Sequence, residues 1–115
     1  MPAFRASLND RPDQDFNVIL IESIHETIAQ LLSPKVAEKI FEHLEKFHSV
    51  RKNEVSSHLD MLLLGLETNF GSRSSQVIGK AIARRFYSRL GLEFSDDPQR
   101  TLIGYVENAK LTQQK

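Results

Sequence analysis

The chain has 115 residues, 40% of them apolar and 26% charged, with 15 basic and 15 acidic side chains and a formal net charge of zero. That composition fits one globular domain and excludes a chain disordered throughout, a fibrous repeat and a nucleic-acid binder whose whole surface is basic. With no cysteine, disulfides and thiolate metal sites are excluded, and a reducing, cytoplasmic setting is expected.

Residues 1–14, which include Pro2, Asn9, Asp10, Pro12 and Asp13, carry no apolar period and read as a flexible arm ahead of a helical domain at 15–112. From about Asp15 to Leu32, Phe16, Leu20, Ile21, Ile24, Ile28, Leu31 and Leu32 recur at intervals of three and four, which predicts an amphipathic helix. Ser33-Pro34 then marks a second start, a capping serine followed by a proline whose missing N–H costs nothing in the first turn. The second helix carries Val36, Ala37, Ile40, Phe41, Leu44 and Phe47 on one face and fades near Ser49. Almost no loop separates the two, so they are expected to pack antiparallel or at a sharp angle.

Val50 to Ser57 reads as a polar connection, with Ser56 or Ser57 capping a third helix and Ser57 to Asp60 forming a capping-box variant. In that helix Leu59, Leu62, Leu63, Leu66 and Phe70 make a stripe, and Met61 and Leu64 extend it nearly all round. Such a helix belongs at the centre of a domain or against a partner. Gly71 is the predicted stop, Ser72 or Ser74 the next cap, and Ile78, Ile82, Phe86 and Leu90 the inner stripe of a fourth helix closed by Gly91-Leu92. Asp97-Pro98 repeats the cap-and-proline signal before a last helix with Leu102, Ile103, Val106 and Ala109 inward. The fold class is therefore all-α, a single-domain bundle of about five helices around a central helical hairpin at residues 55–92. The longest apolar runs, such as Met61 to Leu64, fall far short of the roughly 20 residues that cross a bilayer, and no membrane contact is expected.

Charge divides the hairpin. Its first half carries Glu54, Asp60 and Glu67 without a base, and its second carries Arg73, Lys80, Arg84, Arg85 and Arg89 without an acid. At about 100° per residue, Arg73, Lys80 and Arg84 cluster on the far side from the stripe, as a phosphate-binding edge would. Arg85 and Arg89 fall beside Ile78 and Ile82, where each needs an acid or must snorkel, because an unpaired buried charge is very costly. Glu22, Glu26 and Glu67 are the candidate acids; if none of them supplies the partner, the two arginines mark the first place to look for a bound acidic group.

Nothing specifies a reaction. Glu22-x-x-His25 and Glu45-x-x-His48 have the spacing of carboxylate-bridged di-metal bundles, but the two further glutamates of such a site are missing, and the fourth helix has no acid. The serines sit at predicted caps, and no glycine-rich phosphate loop occurs. A non-enzymatic role without cofactor is expected, with a di-metal enzyme on Glu22, His25, Glu45 and His48 as the remote third reading.

Ile21-Glu22-Ser23-Ile24, Ile40 to Glu45, Leu66-Glu67 with Phe70-Gly71, and Arg85 to Leu92 resemble a small helical output domain of archaeal signalling proteins, especially those of ammonia oxidisers. The likeness runs over Ile21 to Leu92 and rests on core and turn positions. In that family the domain is attached to receiver or sensor modules, an arrangement from which this chain departs, and the likeness implies a signalling or regulatory helper without implying an activity. The leading expectation is thus an interaction module that presents a helical surface to a protein partner or to its own copy, through whichever of Met61, Leu64 and Tyr87 are exposed, with Arg85 and Arg89 orienting the contact. The alternative is a transcription-associated domain using Arg73, Lys80 and Arg84 on DNA.

Overall fold

The structure, a computed structural model, describes residues 12–113. Five α-helices and one 3₁₀ helix follow in order: α1 (Pro12–Leu31), α2 (Pro34–His48), the 3₁₀ helix (Lys52–Ser57), α3 (Leu59–Phe70), α4 (Ser72–Leu90) and α5 (Leu102–Gln113). The protein is an all-α bundle, with no strand among the described residues. α1 takes in Pro12 to Gln14, which the sequence assigned to the arm; residues 1–11 of that arm lie outside the described residues. Among the described residues no helix is long and apolar enough to cross a membrane.

The hub is α4, which packs on α1, α3 and α5, most extensively on α1. The buried faces of both helices repeat every four residues, Phe16, Leu20, Ile24 and Ile28 on α1 and Ile78, Ile82 and Phe86 on α4. Phe16 meets Phe86 edge to face at 5.0 Å. Antiparallel to the hub, α1 thus contributes more to the centre than α3 does, and the 55–92 hairpin is one side of a larger core. Gly79 faces both neighbours on that side: a β-carbon there would stand in ordinary contact, 3.6 Å from Leu63 Cδ2 on α3 and 3.5 Å from Leu102 Cβ on α5.

The signals at two helix ends operate as read. Ser33 Oγ accepts from the Val36 N–H at 3.0 Å, and Gly91 adopts the left-handed conformation with Leu92 N–H donating to Tyr87 O at 2.9 Å. Other ends differ. The 3₁₀ helix runs straight into α3 through His58, so neither Ser56 nor Ser57 caps it, and Asp60 accepts only from the adjacent Met61 N–H. Gly71 alone joins α3 to α4 at φ 90°, leaving no place for a Ser72 or Ser74 cap. The Asp97 carboxylate is used within its own turn, accepting from the Gln99 N–H at 3.0 Å, and α5 starts later, at Leu102.

The polar connection after α2 hides two core residues. Ser49 takes a left-handed turn at φ 57°, and Val50 and Val55 fold back to become buried. Phe47, expected inward, is instead 65% exposed.

The thin apolar face of α5 is compensated by hydroxyl chemistry. Tyr105, buried in the first turn of α5, accepts from the Asp97 N–H at 2.7 Å and directs its own O–H at Ser95 O, 3.2 Å away. Tyr87 on α4 donates to Tyr105 O at 2.7 Å and accepts from Asn108 Nδ2 at 3.1 Å. Phe94 stacks on Tyr105 and stands edge-on to Tyr87, which fastens the 92–101 segment to both helices.

Candidate interaction face

Arg85 and Arg89 obtain the partners their positions required. Arg85 Nε donates to Thr27 Oγ1 at 3.1 Å, and its terminal nitrogens reach Glu26 Oε1 and Gln30 Oε1. Arg89 bonds Glu26 and, at 3.4 Å, Glu22. Of the three candidate acids, Glu22 and Glu26 supply the partner. These arginines therefore zip α1 to α4. Tyr87 is 3% exposed and hydrogen-bonded on both sides, so it anchors no interface. Met61 is half-buried against the core, and Leu64 is the exposed member of the predicted set at 49%.

The basic edge is divided by its environment. Lys80 Nζ lies 2.6 Å from Asp96 Oδ1, and that hydrogen bond holds the Lys80 ammonium above its usual pKa, so it stays charged through ordinary conditions. Arg84 has no ion pair among the described residues and lays its guanidinium 5.2 Å over the Phe94 ring. Arg73 is exposed near the start of α4.

What the sequence reading passed over is Val77, 61% exposed on the same face. It lies four residues after Arg73, three before Lys80 and seven before Arg84, so helical periodicity alone puts an apolar side chain in the middle of the basic edge. Leu31, expected inward at the end of α1, is 50% exposed. Val77 forms the ridge between two grooves. One, of about 580 Å³, lies between α4, α3, the 98–101 turn and the start of α5, with Leu63, Leu64, Val77 and Ile103 as apolar lining and Asp60, Glu67, Lys80 and Arg100 as charged lining. The other, of about 590 Å³, lies between α1 and α4, lined by Leu31, Val77 and Ala81 with Lys80, Arg84, Arg85 and Arg89, and by no carboxylate. Leu64, Val77 and Leu31 thus mark an apolar track across three helices.

The Glu-x-x-His pairs do not converge. Glu22 is held by Arg89, His25 stacks on Phe41 with centroids 5.6 Å apart, and Glu45 and His48 face outward on α2. Among the described residues no group of three or more His, Asp or Glu side chains is placed to hold a metal ion. No family model, curated protein or solved structure matches the chain.

Proposed function

We propose that this protein is a non-enzymatic regulatory module of the signalling-output kind, which works by presenting the outer face of α4, with α1 and α3 on either side, to a protein partner or to a second copy. The observation that carries this reading is the track of Leu64, Val77 and Leu31, each about half exposed or more and brought together from three separate helices. The likeness of Ile21 to Leu92 to archaeal output domains supports the regulatory role. Light scattering and partner capture with Leu64→Glu and Val77→Glu test it. The reading expects a self-association or a specific partner that either substitution removes, while circular dichroism stays unchanged. A monomer whose partners are the same with and without the substitutions counts against it.

DNA binding through Arg73, Lys80 and Arg84 is the second reading, favoured by the cation row on α4. Asp96 compensates the middle cation, and Val77 offers a phosphate nothing. This reading expects a mobility shift at low salt that falls steeply as salt rises; absence of a shift at micromolar protein removes it.

A further inference from the structure

We infer that the groove between α1 and α4 receives an acidic amphipathic helix of a partner protein, an assignment that rests on reading this surface as a protein-binding face. Shape comes first. The α4 wall runs from Val77 to Arg89, about 18 Å or three turns, and its floor positions Ala81 and Ser88 are small, so a third helix can approach the backbone closely. The opposite wall, the end of α1, supplies Leu31. An apolar stripe at i, i+4, i+7 on an incoming helix would lie over Leu31, Val77 and Ala81.

Charge then selects the occupant. Lys80, Arg84, Arg85 and Arg89 rim the groove without a carboxylate in its lining. Arg85 and Arg89 are partly satisfied by Glu26 and Glu22, and Lys80 by Asp96, whereas Arg84 rests on an aromatic ring and has no acid among the described residues. A helix flanked by Glu or Asp meets this rim with complementary potential. A second copy docked by the same face about a two-fold axis would oppose like-charged rims. A nucleic-acid duplex would bury Val77 and Leu31 against phosphates with no apolar gain.

The test uses the full chain, isotope-labelled, and a displayed library of helices about 16 residues long, enough to cover the groove. Each has a fixed leucine stripe and flanking positions varied among Glu, Gln and Lys. Selection is expected to return Glu at the flanks, with amide shifts centred on Leu31, Val77, Ala81 and Arg84. Val77→Asp is expected to abolish binding, and Arg84→Glu to weaken it about tenfold and to shift selection toward Lys flanks. Arg84→Gln, which removes the charge without inverting it, is expected to give an intermediate loss and serves if Arg84→Glu perturbs the fold. Lys-flanked or charge-indifferent helices, binders unaffected by Val77→Asp, or no binders at all would each overturn the assignment. Self-association that Leu64→Glu removes, alongside no selected helix, overturns it while leaving the protein-binding reading intact.

Discussion

Arg85 Nε donates to Thr27 Oγ1 at 3.1 Å, which joins the two longest helices of the fold through the hydroxyl of a threonine that is itself 3% exposed. Around it, Glu22, Glu26 and Gln30 on α1 and Arg89 on α4 extend the same seam outward into solvent. Thr27→Val keeps the side-chain shape and deletes the acceptor, leaving a guanidinium N–H without its partner. It is expected to lower stability by about 1–2 kcal/mol. Glu22→Gln, at the exposed end, is expected to cost less than about 1 kcal/mol. Urea unfolding of both variants checks the order, and a neutral Thr27→Val would contradict the role given to this bond.

Tyr105→Phe keeps the stacking on Phe94 but removes the acceptor for the Asp97 N–H. We expect a loss of about 1–2 kcal/mol, with faster hydrogen exchange concentrated at Asp97 and its neighbours. Uniformly faster exchange would show that the hydroxyl supports the whole fold and does not specifically fasten the 92–101 segment.

The helical glycines at 65 and 79 have different room around them. A β-carbon at Gly65 meets nothing within 4 Å, and one at Gly79 makes ordinary contacts at 3.5 and 3.6 Å. Alanine at either site is expected to be tolerated, with a gain at Gly65 of up to about 1 kcal/mol from helix propensity. Gly79→Leu is expected to push α3 and α5 off α4 and unfold the protein or lower its Tm sharply. Thermal scans of the three variants distinguish these outcomes.

Two left-handed helix ends give opposite expectations. At Ser49, φ 57° is occupied by a residue with a β-carbon, so Ser49→Gly should stabilise by roughly 0.5–1 kcal/mol. At Gly91, φ 73° already has the residue it favours, and Gly91→Ala should destabilise by about 1 kcal/mol. Denaturant midpoints moving in the same direction for both would refute the assignment.

Helix count, most of the inner stripes, Phe47 and Leu31 excepted, and the Ser33-Pro34 and Gly91-Leu92 ends were legible because each is set by residues within a few positions of one another. The need of Arg85 and Arg89 for an acid was legible too, since periodicity puts them beside an apolar stripe. Val50 and Val55 were not: they lie in a polar stretch without period and become core only because Ser49 reverses the chain. Asp97 looked like a helix cap, and its carboxylate instead serves a turn that Tyr105, eight residues on, holds in place. The interaction face was half legible. The basic edge and Leu64 could be read from α3 and α4 alone, but joining Leu31 to Val77 requires knowing that the end of α1 lies against the start of α4.

The single residue between α3 and α4 also fixes how the outer face is phased to the core. Gly71, at φ 90° and ψ 162°, leaves no slack in which an extra residue could be absorbed. One residue inserted there would turn α4 by about 100°. Val77 would then take the place of Ile78 and Ala81 that of Ile82, both harmless exchanges in polarity, but Arg85 would move into the fully buried position of Phe86. Length variation at this joint is therefore closed to the protein, and changes in what the face recognises must come by substitution.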